Sequence, residues 1–527
     1  MSEQVLQQQP APKLESHSRP RLFSRLRERL ALPLVFGIVI YATVRHLLQA
    51  VTKPLWFDEL LTEFVSRVPS FSALMRALKA GVDGQPPLFY EIERVGAALS
   101  MNEHIGYRLP AILAFSITFI CLYFFVARRS GPIIGLVCAS LVLFTPLYTL
   151  YADEARPYGM FVACIAFALV CYQRAPAVPW AAGLFVSLSL AVCLHLTALL
   201  PVALFLAAEL FFTYSSKQFR PFVWSALILP CAFFALSWPV LAAQKANYGE
   251  HFVSRPHLME ALRTYGEFFR VDTSLGFALA GLCAAGALAA LWHVGPSKDP
   301  AEGLEPGPPH EHLLVLGLVA YPLIAFGAAG LMHGGAMPRY VLCAVLGVAI
   351  AFRYILDWLQ PRSVLVCALF LFLTLGTQEF SFWRTLPASD TLFQPATSLL
   401  ALVDSVHRDE LPVVVADPEQ YVSLLHYASP SLRSRMVAVV DPPDAVHYLG
   451  TDTLDKNVTA LSKLTPLNVY DYPAFVVSNR SFLLFTNGSG FEWVPSRLLH
   501  DGDSFQILAW KGNGVLYFVS IKPSEQN

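Results

Sequence analysis

Long apolar stretches separated by short polar clusters set the rhythm of this 527-residue chain. Eleven of them, near 31–50, 109–127, 132–150, 157–173, 180–195, 196–214, 221–242, 273–293, 313–331, 340–357 and 363–379, come close to the roughly 20 residues an α-helix needs to cross a bilayer core. Each predicts a spanning helix. After 379 the rhythm changes. The stretch "VVVADPEQYVSLLHY" (413–427) runs from an apolar strand through Asp417 and Pro418, both helix-start residues, into helical spacing. "FVVS" (475–478), "SFLLFTNG" (481–488), and "FQILAW" with "VLYFVSI" joined by "KGNG" predict strands, the last two as a hairpin. The pattern therefore predicts a polytopic α-helical membrane protein (31–379) followed by a small α/β domain (380–527). Residues 1–30, which include "QQQPAPK", and the Gly- and Pro-rich stretch 295–309 read as disordered and flexible segments.

Composition agrees. Hydrophobic residues make up 55% of the chain and charged ones 14%, against about a quarter charged in soluble proteins. A net charge of −1 supplies no field to recruit nucleic acid. The first apolar stretch is long and lacks a small-residue cleavage site nearby, so it predicts an anchor rather than a cleaved leader. All nine cysteines fall in apolar stretches without metal-ligand spacing and read as small packing residues.

Arginine and lysine set the orientation, because short cytoplasmic loops carry their excess. Arg19, Arg21, Arg25, Arg27 and Arg29 place the N-terminus inside. Parity then returns Arg128 and Arg129, Arg174, Lys217 and Arg220, Lys298, and Arg353 and Arg362 to the same side. An odd count of spans leaves the C-terminal domain outside the cytoplasm.

On that outer side, residues 51–108 are too long for a simple connector. They open with "WFDELLTEFV", whose Asp58 and Glu59 follow closely on the first span, where partial burial would raise a carboxylate's affinity for protons, as a general base requires. Taken alone, the two acids equally suit the first turn of a surface helix. The same loop holds "DGQPPLFY" (83–90), whose prolines fix a turn. Parity puts "YADEARPY" (151–158) on the same face. Asp153, Glu154 and Arg156 thus join Asp58 and Glu59. Arg156, and Arg339 in "AMPRYV", stand out because outer loops are nearly free of basic residues. A guanidinium fork matches phosphate oxygens at bilayer height, although arginines also snorkel to headgroups without a specific task. His195, at another outer turn, can hydrogen-bond a phosphate or serve structure alone.

The set "WFDE", "QPPLFY", "YRLP" (107–110), "DEARPY" and the late "PRY" (338–340) resembles the GT-C superfamily of membrane glycosyltransferases. The resemblance is to its family-39-like group of protein O-mannosyltransferases, lipid A aminoarabinose transferases and rhizobial lipopolysaccharide sugar transferases. It implies a GT-C-like fold of about 11 transmembrane helices in a bacterial inner membrane, with the site and C-terminal domain extracytoplasmic. It also implies a polyprenyl-phosphate-linked sugar as donor and a lipid, glycan or protein hydroxyl as acceptor. Asp58 would act as base in an inverting transfer, with Glu59, Asp153 and Glu154 orienting the sugars. Arg156, Tyr158, His195, Arg339 and Tyr340 would hold the donor phosphate. The acids and histidines permit a divalent metal without showing a ligand spacing that demands one. The C-terminal domain lacks the "WWDYG"-like string of the oligosaccharyltransferase branch, which disfavours transfer of a preassembled glycan to asparagine.

Two rival classes remain at this stage. A transporter or flippase of lipid-linked sugars would suit eleven spans, but it predicts repeated halves and ionisable residues at mid-membrane depth. A scaffold with a partner-binding outer domain leaves the convergence of acids and arginines on one face without a purpose.

Overall fold

The computed structural model describes residues 19–522 apart from 270, 293–306, 333, 360, 386–393, 407 and 409. Helix α1 (Arg19–Thr52) shows why the first apolar stretch is a membrane element. Leu32, Phe36, Ile40, Val44 and Leu48, four residues apart, form an exposed stripe, while Val35, Ala42, His46 and Ala50 are buried against the bundle. Residues 19–30, expected to be disordered, continue this helix backwards, and residues 1–18 lie outside the described ones. Three short helices follow: α2 (Phe57–Ser66), α3 (Phe71–Lys79) and α4 (Pro87–Ala98).

Helix α5 (Glu103–Phe144) is two helices in one run of chain. Gly131 has φ 83°, and a Cβ on Gly135 would lie 2.8 Å from that of Ala127. In a straight helix those positions would be about 12 Å apart, so the chain folds back at Gly131, with Pro132 opening the return. Next come α6 (Pro146–Leu150), α7 (Tyr158–Arg174), α8 (Val178–Leu194), α9 (Leu199–Ser216), α10 (Pro221–Ile228) and α11 (Phe234–Tyr248). They are followed by α12 (Leu258–Phe269), α13 (Thr273–Trp292), α14 (Pro309–Val319), α15 (Tyr321–Leu331), α16 (Ala344–Trp358) and α17 (Pro361–Thr385).

Each of the eleven expected stretches falls on helix. Among the described residues six helices are long and apolar enough to cross a membrane, or eight if each of two bent pairs is one crossing. One pair, 146–153 with 158–174, is bent by 111°, and its break is the segment 154–157. α5 packs on α1, α7 and α16, and α13 on α12, α14 and α16. The expected flexible loop lies outside the described residues over 295–306, and Pro309 already begins α14.

The C-terminal domain contains α18 (Gln394–Val406), α19 (Pro418–Tyr427) and a six-stranded sheet of order β3-β2-β1-β4-β6-β5. Its strands are β1 (Val413–Val415), β2 (Met436–Val440), β3 (Val469–Asp471), β4 (Ser481–Thr486), β5 (Ser504–Lys511) and β6 (Gly514–Ser520). β1 pairs in parallel with β2 and β4, and β6 runs antiparallel to β4 and β5. The expected β–α unit and final hairpin are present. "FVVS" is instead the end of a helix, Tyr472–Ser478, because Asp471 and Pro473 start one and Tyr472 and Phe475 turn inward, Tyr472 against Trp493.

One apolar cluster joins this domain to the first loop. Leu55, Phe57, Leu60, Val65, Leu74 and Phe89 share it with Val413, Tyr421, Leu425 and Leu483. A polar contact reinforces the junction, the Leu55 N–H donating to Tyr427 Oη at 2.7 Å, and the domain also meets α11, where Lys456 Nζ donates to the Asn247 carbonyl at 2.8 Å.

Candidate active site

The site begins where α1 stops. Lys53 and Pro54 turn the chain, and α2 starts at Phe57, so Asp58 and Glu59 occupy its first turn, where free N–H groups and the helix dipole favour carboxylates. Glu59 Oε2 accepts the Trp56 N–H at 3.3 Å, closing the turn. Arg108, from "YRLP", donates Nε to Glu59 Oε1 at 2.7 Å and Nη2 to Oε2 at 2.6 Å. Its other donors cap the carbonyls of Ala50, Lys53 and Pro54 at 2.6–2.8 Å. Both side chains are 0% exposed. Burial alone would raise the Glu59 carboxyl, but the Arg108 charge and hydrogen bonds outweigh it and hold the group below the usual carboxylate range. Glu59 is thus the strut that fixes α2 against the ends of α1 and α5.

The sharp bend at 154–157 lays the acidic segment against α2. The Ala155 N–H donates to Glu59 Oε1 at 2.8 Å, and Thr62 Oγ1 donates to the Ala155 carbonyl at 3.0 Å. Arg156 then points into the same space. Its Nη1 donates to Asp83 Oδ2 at 2.6 Å, to the Asp58 carbonyl at 3.1 Å and to Thr62 at 3.2 Å, while Nη2 donates to Asp83 Oδ1 at 3.2 Å. Its Nε lies 3.7 Å from Asp58 Oδ2. Asp83 is held in turn by the Gly84 N–H at 2.7 Å, and Gln244 donates to its carbonyl at 2.8 Å. Gly81, at φ 89°, lets the loop approach Tyr248, whose hydroxyl donates to the Gly81 carbonyl.

On the other flank, Lys53 Nζ sits 2.7 Å from Glu154 Oε1 and 3.6 Å from Asp153 Oδ1, and His46 Nδ1 is 3.1 Å from Asp153 Oδ2. Burial pushes the Glu154 carboxyl up to about 7 although Lys53 opposes it.

Arg339 closes the site from the turn Pro338–Val341, with Nη2 3.4 Å from Asp58 Oδ2. Its guanidinium carbon is 5.9 Å from the ring centres of both Tyr158 and Tyr340. Those rings and that of His195 form an aromatic floor, with centroids 5.5 Å apart for Tyr158 and His195 and also for His195 and Tyr340. His195 stacks on Phe161 and bonds Thr197 Oγ1 through Nδ1 at 2.7 Å.

All nine residues singled out from the sequence therefore gather at the end of the bundle that carries the C-terminal domain. Asp58, Arg156, Tyr158, His195, Arg339 and Tyr340 form one cluster, while Glu59, Asp153 and Glu154 are engaged by Arg108, His46 and Lys53 on its flank. Asp58 is 9% exposed, and its Oδ2 accepts no hydrogen bond among the described residues. That buried oxygen faces two guanidiniums, at 3.4 and 3.7 Å. Sequence reasoning missed Asp83, Lys53 and His46. Asp83 opens the quoted "DGQPPLFY", where a carboxylate beside a fixed turn was the available signal.

Among the described residues, no three His, Cys, Asp or Glu side chains group as ligands for an ion. The acids here are each matched by a guanidinium, an ammonium or a histidine, a donor set that suits internal ion pairing better than a divalent cation.

No protein-family model matches the chain, and no curated protein matches it. Among solved structures it is similar to ArnT from Cupriavidus metallidurans in the apo state, with TM-score 0.54 and 12% identity over 92% of this chain and 97% of that one. It is equally similar to the same protein bound to undecaprenyl phosphate, with TM-score 0.53, 13% identity and the same coverage. A third likeness is to the Archaeoglobus fulgidus oligosaccharyltransferase in complex with Zn and sulfate, with TM-score 0.41 and 10% identity over 85% of this chain and 67% of that one. The chain thus shares the fold of ArnT, and here that fold is a bundle of apolar helices followed by a C-terminal sheet domain.

Proposed function

We propose that this GT-C-fold chain is an inverting glycosyltransferase that moves a sugar from a polyprenyl-phosphate donor to a hydroxyl acceptor at the outer face of the membrane. One observation carries the reading. The Asp58 carboxylate, open on Oδ2, stands 3.4 Å from Arg339 and 3.7 Å from Arg156, in a fold shared with a protein whose structure holds undecaprenyl phosphate.

Asp58 Oδ2 accepts the proton of the acceptor hydroxyl as its oxygen attacks the anomeric carbon from the face opposite the phosphate. The bond between that carbon and the phosphate oxygen breaks, and polyprenyl phosphate departs with the electron pair. Arg339 lies where it can meet the growing negative charge, and such preorganised donors contribute about 3 kcal/mol each. Arg156, committed to Asp83, contributes through the position and field it gives Asp58. Tyr158, His195 and Tyr340 form the surface on which the phosphate and the first isoprene units rest. Lys53, with Glu154 and Asp153, holds the opposite wall. Glu59 acts as a strut and touches neither sugar.

The basic residues support this sidedness. Arg129 pairs with Glu311 and Arg220 with Glu209, while Arg174 ends α7, whose first residue, Tyr158, lies in the site. These cations therefore mark the opposite end of the bundle, which the positive-inside rule assigns to the cytoplasm.

The test is mass spectrometry of envelope lipids and glycans from a strain lacking this chain against its parent. One missing sugar together with an accumulated lipid-linked donor is expected. An unchanged set of glycans, with substrate uptake lost from sealed vesicles, would establish a transporter instead.

A further inference from the structure

The C-terminal sheet reverses its winding between β1 and β4: β2 and β3 lie on one side of β1, and the chain then returns to place β4 on the other. In open α/β sheets, ligands bind in the crevice outside the carboxyl ends of the strands at such a reversal. Residues 416–419 leave β1 here, and 487–492 leave β4. Two of the three acids in these segments serve the backbone. Asp417 Oδ1 accepts the N–H groups of Glu419 and Gln420 at 2.8 and 3.4 Å, and Glu492 accepts those of Asn487 and Gly488 at 2.7 and 3.2 Å. Glu419 does neither, and its carboxylate makes no hydrogen bond or ion pair among the described residues.

α19, which begins at Pro418, packs on α2, the helix of Asp58, and its far end is fixed there by Tyr427, whose hydroxyl accepts the Leu55 N–H. Burial, then the neighbouring Asp417 charge, push the Glu419 carboxyl up to about 8, and across this junction Asp58 adds to that rise while Arg339 opposes it. On the membrane side, Asp58 Oδ2 and Tyr158 Oη are among the buried oxygens without a hydrogen-bond partner.

We propose that Glu419 is an acceptor-positioning residue, supplied by the C-terminal domain, whose carboxyl group hydrogen-bonds a hydroxyl or ammonium group adjoining the acceptor hydroxyl that gives its proton to Asp58. The proposal rests on the transferase reading above. It assigns the donor phosphate to the Arg339 side and the acceptor to the crevice between α2 and the β1–β4 reversal. It also fixes the acceptor's chemical class. The Asp58 carboxylate repels phosphate and carboxylate, and the Glu419 carboxyl, largely protonated at neutral pH, both donates and accepts hydrogen bonds, which favours a neutral polyol or an amino sugar at the reacting position.

The experiment uses the full chain in lipid nanodiscs. Binding is measured with undecaprenyl phosphate. Transfer is measured by mass spectrometry, with membranes of a strain lacking the chain supplying the donor and graded amounts of that strain's extracted glycolipid and polysaccharide fractions as acceptor. Glu419→Gln should raise the acceptor needed for half-maximal transfer by about fivefold, the range for a lost hydrogen bond. It should change the undecaprenyl phosphate Kd by less than about twofold, and Glu419→Asp should restore part of the loss. An unchanged acceptor requirement overturns the proposal, and so does a parallel loss of undecaprenyl phosphate binding, which would place Glu419 on the donor side. A wild-type chain that transfers nothing to any fraction would overturn the transferase reading and this proposal together.

Discussion

Arg156 donates to both carboxylate oxygens of Asp83, at 2.6 and 3.2 Å, across 73 positions of chain. The arginine of the bend is therefore anchored from the loop that precedes α4, and through its contact with the Asp58 carbonyl it fixes the first turn of α2. Removing one member of a buried pair costs about 3–5 kcal/mol. Asp83→Asn should accordingly lower the unfolding temperature of the purified protein and its transfer rate together. An unaltered unfolding temperature would count against this anchoring role.

Asp58→Asn keeps the shape of the side chain and removes its basicity. Transfer should fall by about 10²–10⁴-fold, the usual contribution of a positioned base. Undecaprenyl phosphate binding should persist or tighten, because a negative charge has left the site. Rate and binding measured on one preparation decide it, and near-normal transfer would remove the base assignment.

Arg339 is the guanidinium beside Asp58 that makes no pair with Asp83. Arg339→Ala should slow transfer by about 100-fold, equivalent to roughly 3 kcal/mol, and weaken undecaprenyl phosphate binding. Arg76→Ala, at an exposed position on α3, should do neither. Equal effects would make Arg339 an ordinary headgroup contact.

Glu63, buried on α2, has its carboxyl pushed up to about 7 by burial against the opposing pull of Arg67. A carboxyl whose folded pKa exceeds its unfolded value near 4.5 adds stability at low pH that is lost as pH rises through the folded value. Wild-type protein should therefore lose up to about 3 kcal/mol between pH 5 and 8 from this group. Glu63→Gln should remove that part of the slope and be the more stable form at pH 8. Thermal unfolding of both proteins at the two pH values is the measurement, and identical slopes would remove Glu63 from the account.

The Glu59 and Arg108 pair yields a coupling test. Arg108→Met should destabilise by about 3–5 kcal/mol, because it leaves Glu59 buried without its counter-charge. Adding Glu59→Met should cost less than the sum of the single changes. Full recovery is not expected, since Arg108 also caps the carbonyls of Ala50, Lys53 and Pro54. Additive losses would mean that the pair is not coupled.

Much of this arrangement was legible before any fold was known. The apolar stretches mark the helices, and parity of the basic loops brings "WFDE", "DEARPY" and "PRY" to one face. What could not be read was who pairs with whom. The donors of Arg156 are ideal for phosphate, and only the placement of a loop 73 positions away reveals that Asp83 holds them. Lys53 is unremarkable in sequence and gains its meaning when the bend delivers Asp153 and Glu154. The C-terminal domain was half legible for a similar reason. "VVVADPEQ" and "MVAVVDPP" both run from strand through Asp to Pro and helix, with Asp417 and Asp441 as caps, and the first alone was recognised. "FVVS" misled because four apolar and β-branched residues suit a strand unless the start signal Asp471 to Pro473 is weighed with them.

The apolar cluster that unites Leu55, Leu60 and Phe89 with Val413, Tyr421 and Leu483 spans more than three quarters of the chain. During synthesis, the first turn of α2 is made early, but the surfaces that complete its packing emerge only once residues past 483 have left the ribosome. A nascent or prematurely terminated chain would hold its acids in unfinished surroundings and stay chemically silent.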